Sequence, residues 1–129
     1  MRELQCVLSA TLVSVFAAAS AVGGPISWGA PVSDFWDDAS LWDLKRVPSG
    51  TDDVTLGFDV PYAVLLRSSG FANTLNITNP GARLDILDDG RLLFLSGIYN
   101  DGLIRVNPKG GFSHAQLRFS ENSVIEGIP

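Results

Sequence analysis

Carboxylates are the most abundant reactive groups in this chain: fourteen Asp and Glu stand against nine Lys and Arg, with a single histidine. Three pairs are adjacent, Asp37-Asp38, Asp52-Asp53 and Asp88-Asp89. Glycoside hydrolysis needs two carboxyl groups flanking one bond. Neighbours on a strand point to opposite faces, so no pair supplies both groups by itself. Asp88-Asp89-Gly90 reads most simply as a turn in which Asp bonds its own backbone. His114, in Gly111-Phe112-Ser113-His114-Ala115, sits in a loop by composition, and a lone histidine excludes a multi-histidine metal centre. No Gly-x-Ser-x-Gly elbow is present to present a serine nucleophile. Hard oxygen ligands for calcium would exist if Asp34, Asp37, Asp38, Asp52 and Asp53 converged, but no calcium-loop spacing accompanies them. The expectation is no catalytic residue, no cofactor and no metal.

Aromatic residues offer a different chemistry. Phe35, Trp36 and Trp42 are interleaved with Asp34, Asp37, Asp38 and Asp43. Rings beside carboxylates suit the faces and hydroxyls of a sugar, which makes Trp36 and Trp42 the candidate carbohydrate-binding residues. The competing reading is a cap, with the rings covering the open end of a β-core while the carboxylates keep the outside wet. The cap is favoured because Val47-Pro48-Ser49-Gly50 follows at once as a turn into a strand. Asn76-Ile77-Thr78 is a glycosylation sequon, with Asn76 expected to point outward.

The elements that must position these residues are strands. Between 71 and 106, apolar pairs recur with one residue between them: Leu75 and Ile77, Leu84 and Ile86, Leu92 and Phe94, Ile104 and Val106. That spacing puts both side chains on one face of a strand. Turns separate the pairs at Asn79-Pro80-Gly81, Asp88-Asp89-Gly90, Asn100-Asp101-Gly102 and Lys109-Gly110-Gly111, where Gly and Asn tolerate positive φ. One phase, Val64, Leu84, Ile104 and Ile125, steps by 20, 20 and 21 residues. A looser one, Val54, Leu75, Leu92 and Leu117, steps by 21, 17 and 25. Two interleaved phases suit coils with at least two strands each. The expected fold is all-β: a right-handed parallel β-helix (solenoid) with an aromatic N-terminal cap. The alternative is an antiparallel β-sandwich or jelly roll.

Length and charge bound the rest. At 129 residues the chain suits one domain. Arg2, the apolar run 7–18 and Ala19-Ser20-Ala21 read as a cleaved secretory signal, 1–21. An extended leader and cap follow over 22–53, then solenoid coils over 54–129, expected to be incomplete at the C-terminus. Cys6, the only cysteine, lies within the signal, so the mature chain is expected to have neither disulfides nor a thiol nucleophile. A net charge of −5 disfavours nucleic acid and anionic membrane surfaces. No later apolar run reaches the roughly 20 residues of a membrane span.

Two stretches carry a family resemblance. Trp36-Asp37-Asp38-Ala39-Ser40-Leu41-Trp42 followed by Val47-Pro48-Ser49-Gly50-Thr51-Asp52-Asp53-Val54-Thr55-Leu56 resembles the opening of bacterial secreted β-helix repeat proteins, autotransporter-adhesin-like and PEP-CTERM-like. Ala82-Arg83-Leu84-Asp85-Ile86 through Gly97-Ile98-Tyr99-Asn100-Asp101-Gly102-Leu103-Ile104-Arg105-Val106 resembles their body repeat. The opening is also similar, more weakly, to G8-type domains of surface proteins. The resemblance spans about 35–125 and implies an architecture and a surface location, with no catalytic residue.

The expectation is therefore an exported structural or adhesive β-solenoid segment of a cell-surface or extracellular protein, without catalysis of its own. The alternative is a carbohydrate-binding or polysaccharide-active module. Expected partners are carbohydrate or cell-surface components, and further copies by end-to-end self-association.

Overall fold

The computed structural model describes residues 23–111, 113–120 and 123–127. The expected signal, 1–21, lies outside the described residues. Among the described residues, runs of β-branched and aromatic residues broken by turn residues form ten strands. β1 (Pro25–Ser27), β3 (Asp53–Leu56), β5 (Ser69–Ile77), β7 (Arg91–Asn100), β9 (Gln116–Phe119) and β10 (Val124–Gly127) build a six-stranded sheet. β2 (Asp34–Phe35), β4 (Tyr62–Leu66), β6 (Ala82–Ile86) and β8 (Leu103–Val106) build a four-stranded sheet. A 3-10 turn, Ala39–Leu41, is the only helical element among the described residues, and no helix there is long and apolar enough to cross a membrane. The chain alternates between the two sheets from β1 to β9, and every paired strand is parallel to its neighbour. Parallel pairing throughout does not fit the antiparallel sandwich kept as the alternative. Strand pairing also starts earlier than the expected boundary at 54, because Ile26 in the supposed leader pairs with Val54.

Register stacks the apolar residues, though not in the two phases read from spacing. Val64, Leu84 and Ile104 do form one ladder in the four-stranded sheet. Ile125 belongs to the other sheet, above Ile98, in the ladder Ile26–Val54–Leu75–Ile98–Ile125. Leu92 and Leu117 stack on Gly70 instead of continuing from Leu75. The cause is a bend. β5 and β7 have nine and ten residues, against four or five in most other strands. Their register slips between Ala72 and Thr74, where β7 holds one extra residue, as a β-bulge does. The first half of β7 carries β9 and the second half carries β10. Polar side chains line the bend: Asn73 donates to Asp53 (3.0 Å) and accepts from Ser96 (2.6 Å).

Glycines serve the turns for a reason other than φ. Gly90 and Gly102 have no positive φ. A Cβ on Gly90 would run into the Leu66 carbonyl of the turn beneath, and one on Gly102 into the Ala82 carbonyl, with Asn79 O only 2.8 Å away. The turns are stacked backbone on backbone, and only glycine leaves that space. Positive φ falls instead on Lys45, Asp89, Asn107, Gly110 and Gly111.

The two ends differ. At the β1 end, Trp28, Trp36 and Trp42 are 2, 0 and 0% exposed, with both contacts of Trp42 edge-on at 5.0 Å. The outer edge of β1 is closed: Asp43 N donates to Ser27 O (2.9 Å), Ser27 N donates to Asp43 Oδ1 (3.0 Å), and Pro25 has no N–H to leave unpaired. At the other end, β8, β9 and β10 each pair on one side only among the described residues. There Phe119 and Ile125 are both 58% exposed, and Leu103, Val106 and Val124 are also uncovered.

Candidate functional site

The four-stranded sheet feeds one corner of the molecule three times. Residues 67–68, 87–90 and 107–115 connect β4 to β5, β6 to β7 and β8 to β9, so the connection grows from two residues to four to nine. The corners stack, with Leu87 N donating to Leu66 O (2.9 Å) and Asn107 N to Ile86 O (2.8 Å). The longest corner opens with Asn107 at φ +56° and continues through Gly110 and Gly111 at +75° and +79°, left-handed conformations that take it off the path of the shorter corners. A groove of about 410 Å³ lies between them, lined by Phe35, Arg67, Leu87, Asp88 and the segment from Asn107 to Gly110.

Both walls are fixed. The Arg67 guanidinium lies 3.8 Å over the Phe35 ring and is held by Asp37 at 3.1 and 3.2 Å. On the opposite side Asp88 Oδ1 accepts from His114 N (2.9 Å) and Asp89 N (3.0 Å). The bond from His114 N holds the Asp88 carboxyl below the usual carboxylate range. Asn107 Nδ2 donates to Gly111 O (3.2 Å), tying the corner to itself. Lys109 is exposed and has no carboxylate within ion-pair distance among the described residues.

No family model matches the chain, and neither a curated protein nor a solved structure matches it.

The candidates from the sequence are dispersed. Trp36 and Trp42 lie inside the cap: Trp42 Nε1 donates to Trp36 O (2.8 Å), and neither ring offers a face to solvent. Trp36 Nε1 is the one buried side-chain polar atom without a partner among the described residues. Its indole packs where Gly70 leaves room, since a Cβ there would lie 3.1 Å from Nε1. The five acids considered for calcium do not come together. Asp37 holds Arg67, Asp38 caps the 3-10 turn through Ser40, and Asp53 accepts from Asn73 and Thr74. Asp34 accepts from its own neighbour, Phe35 N, at 2.7 Å. Asn76 sits half-buried and donates to Val54 O (3.2 Å) on the strand below.

Two buried carboxylates are structural. Asp52 is fully buried and accepts from Arg46 Nη1 (2.6 Å) and Nη2 (2.9 Å), Ser49 N (2.7 Å) and Gly24 N (3.2 Å). The Arg46 bond is the main reason its carboxyl stays far below the usual range, despite burial pushing the other way. Asp85 is clamped by Arg105 Nε and Nη2, both at 2.8 Å, and by Arg83 Nε at 3.2 Å. The Arg105 bond likewise lowers its carboxyl. These acids clamp strands and turns, and each is already saturated with donors.

Sequence reasoning missed the groove and the meeting of His114 with the second corner. His114 Nδ1 lies 3.3 Å from Asp89 Oδ1 and 3.9 Å from Asp88 Oδ1. Among the described residues only Asp88, Asp89 and His114 bring three metal-type ligand atoms within 4.8 Å, and all three are exposed. The signal available in the sequence was the lengthening of successive connections, which spacing of apolar pairs does not register.

Proposed function

We propose that the chain is an exported structural or adhesive β-solenoid segment of a cell-surface or extracellular protein, with no catalysis of its own. The observation that carries this reading is the alternation of parallel strands between two sheets from β1 to β9, with stacked corners. A right-handed parallel β-helix makes such a pattern, because each crossover between parallel neighbours winds right-handed. The export and surface setting draw on the signal at 1–21 and on the resemblance to secreted β-helix repeat proteins. Purified chain is expected to leave a panel of polysaccharides uncleaved in a reducing-end assay. Cleavage that is lost on changing one Asp to Asn overturns the reading.

End-to-end association belongs to this proposal, and the two ends restrict it. An edge where Asp43 occupies both backbone groups of Ser27, and where Pro25 has no N–H, offers little to a partner strand, so contact would join open edge to open edge. A second reading, carbohydrate binding, is favoured by the groove beside Phe35 and not by Trp36 or Trp42, whose rings are covered.

A further inference from the structure

We infer that two copies of this chain join across a two-fold axis that lays β9 of one copy antiparallel to β10 of the other, with Arg118 against the partner's Glu126. The inference rests on the end-to-end association proposed above and gives it a symmetry and a register. β9 and β10 lie along one edge, because both pair with β7, β9 over Arg91–Phe94 and β10 over Gly97–Asn100. Among the described residues, each leaves its other side unpaired. A two-fold axis brings identical edges together with strand direction reversed, so the copies pair antiparallel. An axis at the middle of this edge, level with Ser96 of β7, sets β9 on the partner's β10 and engages both strands of both copies.

The direction of the side chains fixes the register. Phe119 stands over Phe94 and Ile125 over Ile98, both of them buried, so Phe119 and Ile125 point inward, yet each is 58% exposed. Arg118 stands over Leu93 and Phe71, and Glu126 over Tyr99 and Asn76, on the outer face where Phe71 and Tyr99 are exposed. Residues directly opposed in an antiparallel pair share a face. An axis at Ser96 exchanges the level of Leu93 with that of Tyr99, and the level of Phe94 with that of Ile98. Arg118 therefore faces the partner's Glu126 on the outside, and Phe119 faces the partner's Ile125 on the inside. Symmetry makes each contact twice.

Charge selects this pairing over others open to the same edge. Arg118 and Glu126 are exposed and have no ion-pair partner among the described residues. Within one copy they stand over Leu93 and Tyr99, roughly 20 Å apart along β7, so they meet only between copies. Pairing β9 with the partner's β9 would bring Arg118 toward the partner's Arg118, and pairing β10 with β10 would do the same to Glu126. Like charges opposed across strands are destabilising.

The test is sedimentation equilibrium of the purified chain beside Arg118→Glu, Glu126→Arg and the double charge swap. The unaltered chain should be a monomer in equilibrium with a dimer. Each single substitution opposes like charges twice and should weaken dimerisation by about tenfold. The double swap restores opposite charges and should return it to within about threefold of the unaltered chain. Both side chains are exposed, so all four chains should keep one far-UV spectrum; if one single variant loses it, the other single variant decides. Association that neither single variant weakens, a double swap that restores nothing, or growth beyond a dimer overturns this pairing and leaves end-to-end association standing. An unaltered chain that is monomeric at every concentration overturns both.

Discussion

The two ends of the described stack are built from the same kind of strand and are covered to very different degrees. At the β1 end three tryptophans are buried, Asp43 closes the strand edge, and Asp52 gathers donors from Gly24, Arg46 and Ser49. Among the described residues at the β8–β10 end, Val106, Phe119 and Ile125 are exposed. Burial tracks position in the stack: Ile26 through Ile98 are 0–1% exposed, and Ile125 in the same ladder is 58%. An apolar strand residue is therefore core only where another layer lies above it. Stability should fall from the sealed end to the open one, and association should rise.

The largest effect expected is from Trp42→Ala. Removing a ring that touches both Trp28 and Trp36 should cost about 3–5 kcal/mol in urea unfolding. Phe119→Ala, at the open end, should cost less than about 1 kcal/mol. Comparable losses at the two sites would erase the contrast. Next is Asp52→Ala, which strands Arg46 and two backbone N–H groups and should cost about 3 kcal/mol. Gly90→Ala should cost about 1–3 kcal/mol, because its methyl meets a stacked carbonyl, and the same measurement on Gly24→Ala, with open space, should show little loss.

Acid should act through the two buried carboxylates, Asp85 in mid-stack and Asp52 at the sealed end. The Asp52 carboxyl is depressed in the folded chain relative to the unfolded value of about 3.9. Its contribution is then fully present above about pH 4 and is lost as pH falls below that, toward the folded value. Urea midpoints should decline between about pH 4 and pH 2, and Arg46→Met should flatten that decline. A decline unchanged in the variant would assign the acid sensitivity elsewhere. The smallest effect on stability, and the largest on association, is expected of Ile125→Asp. Sedimentation should show less self-association at an unchanged unfolding midpoint.

The sequence made the strand content legible because a period of two is local: Leu75 and Ile77, or Leu84 and Ile86, disclose their shared face without reference to the rest of the chain. The 20-residue step likewise found Val64–Leu84–Ile104, where a longer first corner and strand are offset by a shorter second corner, so the length of the whole turn stays constant. It failed for Leu92 and Ile125, because β5 and β7 are long strands whose two halves carry separate ladders, so Leu92 stacks on Gly70 and Ile125 on Ile98 in the other sheet. Trp36 and Trp42 were legible as aromatic residues at a boundary. Whether they faced in or out depended on Gly70, Leu66 and Trp28, none of them neighbours in sequence. The groove was illegible for a similar reason. It is the difference between three loop lengths at one corner, and no single segment contains it.

Native-state hydrogen exchange tests the central claim most directly. A stack sealed at one end opens from the other, so local opening free energies should decline along it. The amides of Val54, Val64, Leu75 and Leu84 should be the slowest to exchange, those of β7 intermediate, and those of β8, β9 and β10 the fastest. Protection in β9 and β10 equal to that of β3 and β4, or a gradient running the other way, would contradict it.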